Sequence, residues 1–267
     1  MTKHPFTPDP RAPDAFLYHY TSTSTFLDYI LLNQTIRFSP MSEVNDPKES
    51  SFWCNVRGKS DQETVSELAD RLRKFFPSRV KVACFARDDS SIAFRALRHI
   101  FHGWAKPAMW AHYGANHTGV CLALERQALL RTFNIQFSHS LRRFHGNVNY
   151  HELKAFSTEY MEERYRLHQP NFEIDDFEAS SDTIALRYLD KYHEEMYFRK
   201  HGDWSNENEY RLLVASPEAG FEYMSISDSI VGVCAGLELE DSFRNDVKEA
   251  CDRLGIAFTE IHGGIFR

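Results

Sequence analysis

Apolar residues alternate with a period of two near both ends of the chain and recur every three or four positions through its middle. That change of period restricts the fold more than any other feature. FLYHYTS, TIRFSP, RVKVACFAR and TGVCLALE read as short strands, and after Gly202 so do EYRLLVAS, FEYMSIS, SIVGVCAG and IAFTEIH. DQETVSELADRLRKFF places Val65, Leu68, Leu72, Phe75 and Phe76 on one face, as an amphipathic helix requires. STSTFLDYILLNQ, SIAFRALRHIFHGW, HELKAFSTEYMEERYRLH, SDTIALRYLDKYHEEMYFRKH and SFRNDVKEACDRLG are also expected to be helical, the last capped by Gly255. QPNFEIDDFEASS reads as an acidic loop between two helices. Strands toward both ends with helices between them predict an α+β fold: a central mixed or antiparallel sheet of short strands with a helical mid-chain section.

Pro5, Pro8, Pro10 and Pro13 each block a helix or central strand, so residues 1–14 are expected to form an extended arm. Residues 15–267 then make one α+β domain with a helical insertion at about 150–202. No run approaches the ~18 apolar residues of a membrane helix, and MTKHPFTPDPRAPDAF lacks the apolar stretch of a secretory signal. A formal net charge of −7 and the lack of any long Lys/Arg run argue against a dedicated nucleic-acid coat. The five cysteines include no CxxC pair and sit in apolar stretches, as expected of reduced, structural thiols in a cytoplasmic protein.

Motifs exclude several chemistries. GxxxxGK[ST], GxGxxG, HExxH and GxSxG are all missing, which removes the common nucleotide triphosphatases, dinucleotide oxidoreductases, zincins and serine hydrolases. His99, His102, His112 and His117 fit no zinc spacing, so no metal is expected. Three clusters combine aromatic and titratable residues. They are Tyr18-His19-Tyr20-Thr21-Ser22, the stretch from Met109 to Gly119 with Trp110, His112, Tyr113 and His117, and Trp204-Ser205-Asn206-Glu207-Asn208-Glu209-Tyr210-Arg211. One cleft lined by all three is the economical expectation. Glu209 has a plainer role open to it, a surface ion pair with Arg211 or a lysine. Asn45-Asp46-Pro47 with Glu49 forms a turn that can face substrate or merely end a strand. Arg95 and Arg98 share a helix face that either binds phosphate or is simply solvated.

The ordered motifs LYHYTS, IRFSPMSEVNDPKE, MWAHYGANHTGVCL, W-x-x-E-x-EYR and SIVGVCAG resemble the bacterial domain-of-unknown-function family 2971 over about residues 17 to 236. A second resemblance is to the ADP-ribosyltransferase superfamily, through a strand-borne His near the N-terminus, a mid-chain aromatic and a Glu entering a late strand. It implies a split sheet and an NAD-consuming enzyme that modifies a macromolecule (protein, DNA or RNA), in settings such as a toxin or anti-phage effector. The roles it implies are Glu209, Glu207 and Tyr113 as catalytic residues, and His19, Tyr20, Thr21, Ser22 and Trp110 as the NAD-holding set. His19 would donate to the adenosine ribose, and Asn45, Asp46 and Trp204 would contact substrate. NAD is then a substrate, and breaking its nicotinamide bond develops an oxocarbenium ion that a carboxylate stabilises. A non-catalytic nucleotide or nucleic-acid binding module is the alternative; a third reading is a metal-independent nuclease using Asp46, Glu49 and His19. The mid-chain helices either cover the core or present a face to a partner protein.

Overall fold

Among the described residues, a nine-stranded sheet organises the chain. The computed structural model describes residues 14–44, 55–58, 62–89, 102–151, 171–174 and 180–261. The N-terminal arm apart from Asp14, residues 91–101 and 152–168 of the helices expected over 91–104 and 151–168, and Asn45, Asp46, Glu49, Arg95 and Arg98 lie outside the described residues. The described ends of those two helices are a 3-10 turn at Gly103–Ala105 and a strand residue at His151.

The main sheet contains β1 (Phe16–Thr21), β2 (Thr35–Pro40), β4 (Val80–Arg87), β5 (Val120–Glu125), β6 (Arg142–Asn147), β10 (Glu209–Ala215), β11 (Glu222–Ser225), β12 (Ile230–Ala235) and β13 (Ala257–Glu260). Its pairs are antiparallel except β12 with β13, which are parallel and joined by the helix Asp241–Leu254. That helix ends at Gly255 in the left-handed region, φ 66°, as a C-cap glycine does. The expected α+β class with a mixed sheet holds. Two small parallel pairs add to it: β3 (Asn55–Gly58) with β8 (Asn171–Ile174), and β7 (Asn149–His151) with β9 (Arg199–His201). The acidic loop expected around residues 169–181 therefore contains a strand, and the insertion expected to be helical over 150–202 contains parts of three. Partners distant in sequence supply these ladders, so no local period announces them.

The helices in chain order are α1 (Thr23–Thr25), running on as a π-type segment Phe26–Leu31, then α2 (Gln62–Arg79), α3 (Pro107–His112), α4 (Arg126–Gln136), α5 (Ser181–Tyr197) and α6 (Asp241–Leu254). On one sheet face Leu17, Phe85, Leu212 and Val214 pack with Phe133 of α4 and Val247 of α6. On the other face, Val80, Val82 and Leu213 pack with Leu72 and Phe76 of α2 and Tyr188 of α5. A separate cluster on this second face gathers Tyr18, Tyr20, Ala86, Trp104 and Trp110. Among the described residues no helix is long and apolar enough to cross a membrane.

The sheet forks at β4. One edge of β4 pairs with β10 along its length, from Val80 with Ala215 to Ala86 with Glu209. Its other edge is shared: β2 takes the start, with Ser39 opposite Val82 and Pro40 opposite Lys81, and β1 takes the end, with Leu17 opposite Arg87 and Tyr18 opposite Ala86. Between these pairings, over Ala83, Cys84 and Phe85, the two arms diverge. One arm runs β1–β5–β12–β13 and the other β2–β11.

Candidate functional site

A cleft of about 1050 Å³ opens at this fork, and its wall includes His19, Tyr20, Thr21, Tyr113, Glu207 and Glu209. Residues from all three sequence clusters thus line one space.

Its inner end is a buried charge cluster. Glu209 and Arg211 alternate along β10 and so share a face, and the guanidinium grips the carboxylate two-toothed, Nε to Oε1 at 2.7 Å and Nη2 to Oε2 at 2.9 Å. Both side chains are almost wholly buried. The ion pair exists, but inside the protein and not at its surface as the plainer reading supposes. Burial pulls the Glu209 carboxyl up, yet Arg211 and then Lys200 outweigh it and hold the group below its ordinary range. Lys200 lies on β9, donates to Glu207 Oε2 at 2.7 Å and stands 3.6 Å from Glu209 Oε2. Tyr113 donates its hydroxyl to Glu207 Oε1 at 2.7 Å, and burial, then Glu207, push that phenol up. Tyr150, opposite Lys200 in the β7–β9 pair, accepts the Glu209 N–H at 2.9 Å. Among the described residues on the cleft wall, these two carboxylates face two cations, Arg211 and Lys200.

Asn208 makes both carboxylates converge. Its backbone is left-handed (φ 45°, ψ 57°), ending the 3-10 turn Gly202–Glu207 and starting β10, a conformation Asn tolerates better than most residues. Its side chain accepts from Arg87 at 2.7 Å and donates to the Asp88 carbonyl at 2.9 Å, fixing the turn to the end of β4.

His19 stands at the fork. Its Nδ1 lies 3.1 Å from the Cys84 carbonyl; a carbonyl only accepts, so Nδ1 carries the proton. Burial first, and the charge of Arg37 as well, lower its pKa although the Cys84 hydrogen bond opposes them, so the neutral ring is favoured. Nε2 is then an acceptor. Donation to a ribose, the role that the resemblance implies for His19, would therefore not come from Nδ1, which the Cys84 carbonyl engages.

Not every expected contact reaches the cleft. Trp110 is buried, donates to the Trp104 carbonyl at 2.8 Å and packs edge-on against Tyr20 at 5.0 Å. It belongs to the core behind the site and is absent from the cleft wall. Ser22 caps α1, accepting from Thr25 N at 3.1 Å, and Tyr20 spends its hydroxyl on the Gly103 carbonyl at 2.6 Å. Trp204 lies off the wall, with Lys200 Nζ 4.8 Å from its ring centre. The loop after Tyr113 is built by backbone: Ala115, Asn116 and His117 all have positive φ. A Cβ on Gly119 would meet the Thr21 carbonyl at 2.2 Å, so this glycine permits the loop to lie against the end of β1.

Lys200, Tyr150, Arg37 and Tyr223 are site residues the sequence reading missed. Arg211 carried a visible signal, a Glu and an Arg two apart in an otherwise apolar strand; Lys200 and Tyr150 carried none, because a two-stranded pair formed across about 50 residues brings them in.

Residues 109–212 match the model of the family described as Protein of unknown function (DUF2971). The family resemblance holds over this stretch, which includes MWAHYGANHTGVCL and W-x-x-E-x-EYR and so both Tyr113 and the two carboxylates. No curated protein and no solved structure matches the chain.

Proposed function

From a family match that fixes no activity, and from this cleft, we propose that the protein is an NAD-consuming ADP-ribosyltransferase-like enzyme. One observation carries the reading: His19, Tyr113 and the pair Glu207 and Glu209, drawn from three distant stretches of sequence, line a single cleft at a fork in the sheet. The fork itself supports the split-sheet architecture that the resemblance implies. Glu209 is the electrostatic partner of the ribose. Its two oxygens offer about four lone-pair directions, of which Arg211 and the neighbouring groups use some, leaving capacity for a ribose hydroxyl. Cleavage breaks the C1′–N bond, nicotinamide leaves neutral with the electron pair, and a nucleophile of the acceptor bonds C1′ and gives up its proton. Glu207 and Tyr113 form a hydrogen-bonded pair beside it, and Nε2 of His19 accepts from a second ribose hydroxyl.

The charge balance of the cluster favours one competing reading, a nucleotide-binding module without bond cleavage, because carboxylates neutralised by Arg211 and Lys200 stabilise a developing cation less. Incubation with NAD, with cell lysate and nucleic acid as acceptors, separates the two. Nicotinamide release that drops at least about 100-fold in Glu209→Gln is the expected outcome, by analogy with removing one preorganised stabilising group. Saturable NAD binding without nicotinamide release would establish the binding module instead.

A further inference from the structure

We propose that the outer half of the cleft, on the β2–β11 arm, is a nucleoside-phosphate subsite in which Arg37 holds the phosphate and Tyr223, with Tyr29, stacks the base. Arg37 and Tyr223 are directly opposed across the β2–β11 ladder, so their side chains share one face, and both line the cleft. Tyr29 and Asn33, from the helical segment before β2, line it too. The two tyrosines are 66% and 54% exposed, which is a large aromatic area to leave in water beside a cavity.

The charge pattern selects the ligand. Of the cations on the wall, Lys200 and Arg211 are matched by Glu207 and Glu209. Arg37 is exposed and, among the described residues, has no carboxylate at ion-pair distance; it rests over the Phe221 ring, 4.5 Å from its centre. A guanidinium whose contact is with an aromatic ring does not spend its N–H groups on a carboxylate, and their fork fits phosphate oxygens. Stacking faces beside a phosphate donor suit a nucleotide. The source is a free nucleotide or dinucleotide and not a polymer, since in a chain of net charge −7 the described residues put a single unpaired cation on this wall, which offers no track for a phosphate backbone. The inference rests on the nucleotide reading of the cleft and not on bond cleavage.

Calorimetric titration of the full chain with AMP, adenosine and an oligoadenylate pentamer tests it. AMP lacks the nicotinamide bond, so the result does not depend on turnover. AMP is expected to bind at least about tenfold more tightly than adenosine, the effect of one charge-assisted contact. Arg37→Gln is expected to remove that advantage without changing adenosine affinity, and Tyr223→Ala to weaken both ligands. Both positions are exposed, so the variants are expected to fold, and circular dichroism verifies this. AMP that fails to bind, or binds Arg37→Gln as tightly as the wild type, overturns the subsite. A pentamer that binds more tightly than AMP overturns the free-nucleotide source.

Discussion

Glu209 and Arg211 show how much one buried pair can decide. Both side chains are almost wholly buried, so each depends on the other. Arg211→Met removes the two-toothed partner and leaves the carboxylate only Lys200, 3.6 Å away and shared with Glu207, and is expected to cost roughly 3 kcal/mol, read as a lower urea midpoint. Combining it with Glu209→Gln removes the stranded charge and should recover a large part of that loss; a double variant no better than the single would show that the pair is not the reason. His19 provides a pH test. Its folded pKa lies below the ordinary 6.5, so below pH ~6.5 the unfolded chain binds the extra proton and stability falls with acid. His19→Asn is expected to flatten the pH dependence of stability in that range. Part of the slope should persist, because burial, then Arg126, also lower His145. Glu209 acts in a separate window: its depressed pKa contributes stability above pH ~4.5 that is lost only on further acidification.

Elements matter here chiefly at their edges. β11 pairs on one side with β2, and an open edge invites other strands. Gln136, at the end of α4, covers it with its side-chain amide, donating to the Tyr223 carbonyl at 2.6 Å and accepting from Ser225 N at 3.0 Å as a neighbouring strand would. Gln136→Ala should cost only ~1 kcal/mol but expose the edge beside Ile135 and Tyr223, which are already exposed. Concentration-dependent self-association, measured by light scattering, is the expected result, and a monomer at all concentrations would refute this role. Strands with a strong two-residue period were legible in sequence, as were α2, α5 and α6. α4 was not read: its apolar positions follow directly on those of β5, and the boundary is a side-chain cap, Glu125 accepting from Gln127 N and Ala128 N. β6 escaped as well, because RRFHGN is polar and gains its place by pairing with β10.

For the whole molecule, the fork turns a sheet into a container. Opposed cores on the two faces hold β4 and β10 rigid, while the β1 and β2 arms separate and leave the cleft between them. A ligand there touches both arms and is expected to stabilise the fold as a unit. If NAD binds only the native chain, a concentration of 100 times its Kd should add about 2.7 kcal/mol, seen as a rise in the thermal midpoint. The rise should shrink in Arg37→Gln, and a midpoint indifferent to NAD would count against the cleft as a nucleotide site.

Periodicity and composition determined the α+β class, most of the strands and helices, and the three clusters that hold the candidate residues. They determined this because side-chain period is a local property that a strand or helix writes directly into its own sequence. Tertiary structure alone decided that β1 and β2 share one edge of β4, that Glu209 meets Arg211 in the interior, that Lys200 and Tyr150 join the site, and that Trp110 and Ser22 are diverted to packing and capping. These are pairings between segments far apart in the chain, and a pattern that fixes which face a residue occupies does not say what that face will meet.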